Sequence, residues 1–128
     1  MTTDGNKAVI RRFIKEVLGG GNVNVIDELL APNYTNPSFG ITNRAGFTSV
    51  VSSLKAASKR DFEITDLVAE GDSVVFRGKM NFILPSGKNV SARVLTYYRL
   101  VNGKIVEDEP MSTPPLTEVL SEIIPPKS

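Results

Sequence analysis

The sequence contains no cysteine and no histidine. The first absence excludes disulfides, thiolate nucleophiles and sulfur metal ligands. With histidine missing as well, any general acid or base has to be a carboxylate, Tyr or Lys, and a transition-metal site would be left with oxygen ligands alone. An excess of one charge is also missing. Lysines and arginines number 15 against 14 acids, too even a balance to neutralise a row of phosphates, so no nucleic-acid partner is expected. No apolar run approaches the length that spans a bilayer, and the opening MTTDGNK has no apolar core to act as a secretion signal. The expectation is a cytoplasmic protein without a membrane partner. What is present is ordinary for a soluble domain: 128 residues, 41% hydrophobic and 23% charged, enough to bury one core, read as a single domain over residues 1–128.

The first half carries helical spacing. Val9, Ile10, Phe13, Ile14, Val17 and Leu18 fall on one face, with Lys7, Arg11, Arg12, Lys15 and Glu16 turned away. Asn6 can cap this helix, and the run Gly19, Gly20, Gly21 ends it. A shorter helix is expected from Val23 or Asn24 to Leu30, stopped by Ala31 and Pro32. The tract from Asn33 to Gly40, with Tyr34, Asn36 and Phe39, reads as irregular structure of the kind that lines pockets. Asn43 or Thr42 can cap a third helix whose buried stripe is Phe47, Val50, Val51, Leu54 and Ala57.

From Asp61 to Met111 the period changes to two, which predicts four long strands. Phe62 and Ile64 alternate with Glu63 and Thr65, and a turn follows at Glu70, Gly71, Asp72. Val74, Phe76, Met80, Phe82 and Leu84 then oppose Val75, Arg77, Lys79, Asn81 and Ile83, with Gly78 marking a bend or bulge. The next strand sets Val90, Ala92, Val94, Thr96, Tyr98 and Leu100 against Ser91, Arg93, Leu95, Tyr97 and Arg99. Asn102 and Gly103 form a tight hairpin turn, so the last strand, Lys104 to Met111, pairs antiparallel with the one before. Strands this long twist, and a helical layer on one face makes the curled sheet a cone with an opening. Leu116, Val119, Leu120, Ile123 and Ile124 give a short C-terminal helix an apolar face, with Pro125 and Pro126 ending it.

Several stretches resemble the SnoaL-like polyketide cyclase group of the nuclear transport factor 2-like superfamily: AVIRRFIKEVLGGGNVNVIDELLAPNY, NRAGF, FEITDLVAEGDSVVFRGKM and GKIVEDEP. The resemblance covers nearly the whole chain. It implies an α+β cone of three N-terminal helices on a strongly curved antiparallel sheet of four long strands, with a short C-terminal helix. The implied function is binding of a small apolar molecule, ketone-, polyketide- or steroid-like, with isomerase, cyclase or lyase chemistry that needs no cofactor. The competing class is a non-catalytic binding or interaction module; a homodimer through the sheet is expected in either case. The chain departs from the family pattern at two places. The tract after Tyr34, where the group often holds a histidine, reads Thr35, Asn36, Pro37; after GKIVE, Asp108 and Glu109 replace a His-Trp pair, and the family's final Asp falls on Thr113.

In the last strand Ile105, Glu107, Glu109 and Met111 share one face, and Val106, Asp108 and Pro110 the other. The resemblance turns the first set toward the cone. Glu107 and Glu109 would then be the catalytic pair, one carboxyl raised in pKa by burial and mutual repulsion so that it can move a proton alpha to a ketone carbonyl. Tyr34, Asn36, Phe47, Arg93, Tyr97 and Met111 complete the expected pocket lining, with Tyr34, Tyr97 or Arg93 steadying an enolate oxygen. The alternative is that the two glutamates form structural ion pairs with Arg77, Arg93 or Arg99. Nothing adds oxygen ligands to the run Glu107, Asp108, Glu109 at a recognisable spacing, so no metal and no cofactor is expected.

Overall fold

The structure, a computed structural model, describes residues 2–124. Helix α1 (Thr3–Arg12) starts one turn earlier than the apolar pattern suggested, because Thr2 rather than Asn6 caps it: the Thr2 Oγ1 accepts from the Gly5 amide at 2.9 Å. Asn6 lies inside the helix and buried, its side-chain amide donating to the Gly71 carbonyl at 3.5 Å. The chain then widens into a π-helical stretch, Phe13–Gly19. The wider turn brings Phe13, Ile14 and Val17 all into the core. A short 3-10 turn (Val23–Val25) and helix α2 (Ile26–Leu29) lead into the sheet. Helix α3 (Arg44–Leu54) is capped by Asn43, whose Oδ1 accepts from the Gly46 amide at 2.9 Å, and buries Phe47, Val51 and Leu54.

The sheet consists of β1 (Leu30–Thr35), β2 (Lys59–Glu70), β3 (Ser73–Ile83), β4 (Asn89–Val101) and β5 (Lys104–Thr113), in the order β1-β5-β4-β3-β2. The four long strands form the expected antiparallel meander, and the interior faces of β3 and β4 alternate as the spacing predicts. Asn102 and Gly103 both take positive φ, the conformation that matches a two-residue hairpin turn to strand twist. The strand count needs correction. Leu30 to Thr35, expected as a helix end and an irregular tract, is a fifth strand, parallel to β5. Pro32 is tolerated there because β1 is an edge strand, with no ladder partner on its outer side.

Two bulges curl the sheet. In β2, Ile64 pairs with Gly78 and Asp66 with Arg77, so Thr65 is an extra residue. Gly78 is therefore opposite the bulge, not the bulged residue. A β-carbon at Gly78 would sit 2.0 Å from the Glu63 carbonyl oxygen and 2.6 Å from the Phe76 ring, so only glycine lets the strands approach here. In β5, Leu100 pairs with Ile105 while Arg99 pairs with Glu107, which leaves Val106 as the extra residue. The helices fill the concave face. Phe13 meets Tyr98 edge-on at 5.8 Å between ring centroids and Phe47 at 5.5 Å. Helix α4 (Leu116–Val119) and the turn after it lie across β4 and β5 and cover the mouth. The expected terminators Pro125 and Pro126 fall outside the described residues.

Replacing Gly78 with alanine is expected to destabilise the fold by about 3 kcal/mol or more, since the clash is with backbone and an aromatic ring rather than a movable side-chain end. Urea denaturation of Gly78→Ala beside the parent measures it; an unchanged midpoint would contradict the close approach.

Candidate functional site

The concave face encloses a cavity of about 60 Å³ between the sheet, α3 and α4. Its wall is mostly aromatic and aliphatic: Phe47 and Leu54 from α3, Phe76, Val94 and Tyr98 from the sheet, Leu120 from the C-terminal segment. Among the described residues one carboxyl reaches it, that of Asp108 on β5, together with the neutral polar side chains Thr96 and Asn36. The bulge at Val106 decides this. Strict alternation from Ile105 would turn Glu107 inward; the inserted residue shifts the phase, and Asp108 takes the interior position instead.

Asp108 is held by β1. The Tyr34 hydroxyl donates to its Oδ2 at 2.6 Å, and the Asn36 side-chain amide donates to the Tyr34 oxygen at 3.4 Å. The three side chains form a buried file from Asn36 through Tyr34 to Asp108. Phe47 packs edge-on against the Tyr34 ring at 4.9 Å and fixes its direction. The Asn36 Oδ1 is buried and finds no hydrogen-bond partner among the described residues. Nor does any cation among them pair with Asp108. Burial raises the Asp108 carboxyl from 3.8 to about 7, against the smaller opposing effect of the Tyr34 hydrogen bond. The same burial, reinforced by the Asp108 charge, holds the Tyr34 and Tyr98 phenols well above their usual value, so both keep their protons as donors. An apolar chamber with one carboxyl titrating near neutrality can give or take a proton.

The expected residues divide between the two faces. Asn36 and Phe47 line the cavity, and Tyr34 lies behind its wall. Glu107 and Glu109 do not face inward. Glu107 accepts from the Arg99 Nε at 3.0 Å, with both side chains about two-fifths exposed, and Glu109 stands exposed opposite Tyr97. The inward orientation expected of the two glutamates is thus corrected, and the run Glu107, Asp108, Glu109 is split across both sides of the sheet. Tyr97 shares a 2.9 Å hydrogen bond with Ser73 on the outer face. Arg93 and Met111 line an open groove of about 570 Å³ on that face, beside Arg77 and Lys79. They are not part of the cavity. Asp108 was within reach of the sequence through one signal: Ile105 and Val106 are consecutive apolar residues where alternation allows one, which is how a bulge announces itself.

A curled five-stranded sheet with helices in its concave face and a buried acid beneath them defines an α+β cone fold. The chain belongs to the SnoaL-like domain family, whose model matches residues 10–108. Solved structures agree on the fold. A protein from Acidithiobacillus ferrooxidans, provisionally described as a polyketide cyclase, is 22% identical, with 96% of this chain and 97% of that chain covered at a TM-score of 0.76. A SnoaL-like polyketide cyclase from Agrobacterium tumefaciens is 13% identical over 88% of this chain and 92% of its own, TM-score 0.73. A protein of ketosteroid isomerase-like fold from Catenulispora acidiphila, solved with trimethylamine, is 17% identical over 90% and 91%, TM-score 0.72. No functionally curated protein matches the sequence. Among the described residues, no helix is long and apolar enough to cross a membrane.

Because the folded carboxyl titrates at about 7 and the unfolded one at 3.8, the native chain holds a proton between those values that the unfolded chain has released. The sign follows: this contribution to stability is complete below pH 4 and is lost as pH rises to 7, by on the order of 4 kcal/mol at most. Asp108→Asn keeps an acceptor for Tyr34 but cannot ionise, so its stability is expected to stay flat across that window. Denaturant midpoints of both proteins at pH 5 and pH 8 test it, and parallel profiles would refute the assignment.

Proposed function

We propose that the cavity binds a compact, mainly apolar molecule carrying a carbonyl group, and that Asp108 moves a proton on it, as in a cofactor-independent isomerase or cyclase. The observation that carries this reading is the lone carboxyl in an aromatic chamber, aimed by Tyr34 and titrating near neutrality. At neutral pH both of its forms are populated, so it can take a proton alpha to the carbonyl and return it elsewhere. The buried amide-phenol file keeps the carboxyl in one orientation throughout, which limits the reorganisation that proton transfer requires. Membership of the SnoaL-like family is in keeping with small-molecule binding or cyclase and isomerase chemistry.

The test is exchange of alpha protons of simple methyl ketones into deuterated buffer, followed by NMR. Exchange above the buffer rate that falls at least 100-fold in Asp108→Asn, and persists in Glu107→Gln and Glu109→Gln, is the expected result. Loss in either glutamate variant with retention in Asp108→Asn would return the role to the outer face.

A second reading, ligand binding without turnover, draws on the cavity's size. About 60 Å³ is well below the roughly 300 Å³ at which drug-sized ligand sites begin. Saturable binding with no exchange above background would favour it.

We also propose that the outer sheet face joins two copies of the chain. Val68, Leu95, Val101 and Met111 are exposed, Met111 by 65%, on the sheet face opposite the one that the described helices cover. Sedimentation at micromolar concentration is expected to give a dimer that Leu95→Glu converts to a monomer; a parental monomer would remove the proposal.

A further inference from the structure

The cavity is not isolated from the surface. Phe39, Pro110 and Leu116 line both the closed chamber and a separate open groove of about 370 Å³, whose other lining residues are Ser38, Met111, Ser112, Pro115 and Thr117. These three residues therefore form a shared wall between the two spaces. We infer that the cavity's ligand is elongated: its carbonyl-bearing head lies at Asp108 and an uncharged tail passes this wall into the groove. The inference rests on the proposed reading of Asp108 and adds the shape and tail chemistry of the molecule that site takes.

Three features support the wall as the exit. Phe39 and Leu116 are half-buried, so each has room to rotate without disturbing the fully buried core. Phe39 ends a one-turn 3-10 segment, Pro37–Phe39, and Leu116 begins the four-residue α4, so each stands at the margin of a short element. The far end of the covering segment is tied down. Leu120 is buried, and the Glu122 carboxylate accepts from both the amide and the hydroxyl of Ser86 at 2.8 Å. The tie leaves the Leu116 end of the covering segment the freer one.

The groove's composition sets the tail chemistry. None of the described lining residues carries a charge. The Ser38 hydroxyl donates to the Pro110 carbonyl and the Ser112 hydroxyl to the Pro114 carbonyl, at 3.1 and 2.8 Å. What remains for a ligand is the surface of Met111 and Pro115 and the Thr117 hydroxyl, which suits an alkyl or weakly polar chain and offers no counter-charge to a phosphate or carboxylate. Joined through the wall, the spaces reach the roughly 300–1,000 Å³ of ordinary small-molecule sites, which the chamber alone does not.

Amide NMR titration of the labelled protein with butan-2-one and with decan-2-one tests this. Both are expected to shift residues around Asp108; only decan-2-one shifts Ser112 and Thr117, and it binds at least tenfold more tightly. Thr117→Arg, at an exposed position in the groove, is expected to collapse that ratio toward one. If both ketones shift the chamber but decan-2-one leaves Ser112 and Thr117 untouched, or keeps its advantage in Thr117→Arg, the groove is not the tail site while the reading of Asp108 stands. If neither ketone shifts the chamber, the reading of Asp108 and this inference fall together.

Discussion

The site depends on one inserted residue. Val106 adds a position to β5 opposite the Arg99 and Leu100 pairs of β4, and everything beyond it changes face. Ahead of the bulge Ile105 packs inward, and after it Asp108 does. Without the insertion the same strand would place two glutamates against the core and an aspartate in solvent, and burying two like charges side by side is far costlier than burying one. The bulge also bends the strand, so the curvature that makes a chamber and the carboxyl that faces it have a common origin.

A buried carboxyl without a cation is expensive, and the fold reduces that expense without removing it. Among the described residues the Tyr34 hydroxyl is the one donor to Asp108, and Tyr34 is itself met by Asn36 and wedged by Phe47. Both donors come from the segment at β1 and just after it, the strand that sequence periodicity did not reveal. Its parallel pairing with β5 links residues more than 70 positions apart and delivers Tyr34 to the carboxyl. Burial outweighs that single hydrogen bond, which leaves the acid poised near neutrality. Such an arrangement serves proton transfer better than it serves stability.

The two faces of the sheet divide the labour. The concave face, with Phe76, Val94 and Tyr98, is apolar and closed by helices; the convex face carries Arg77, Lys79, Arg93 and the Arg99–Glu107 pair in solvent. Arg77 is paired with Asp66 and Tyr97 with Ser73, so much of the convex polar surface is occupied with cross-strand partners. Exposed Val68, Leu95, Val101 and Met111 interrupt that polar surface.

By itself the sequence determined the layers: the amphipathic stripe through Phe13 and Val17, the cap at Asn43, the period-two runs of β3 and β4, and the Asn102–Gly103 turn. Each is a local pattern whose physical cause lies within a few residues, and the family resemblance rested on the same patterns. Tertiary structure alone decided the rest. That Leu30 to Thr35 is a strand depends on a partner over 70 residues away, because a short edge segment containing Pro and Asn has little strand preference of its own. That Asp108 and not Glu107 or Glu109 faces the chamber depends on register, where one extra residue reverses every face that follows. Alternation specifies that a strand has two faces; only its pairing with a neighbour specifies which one is inside.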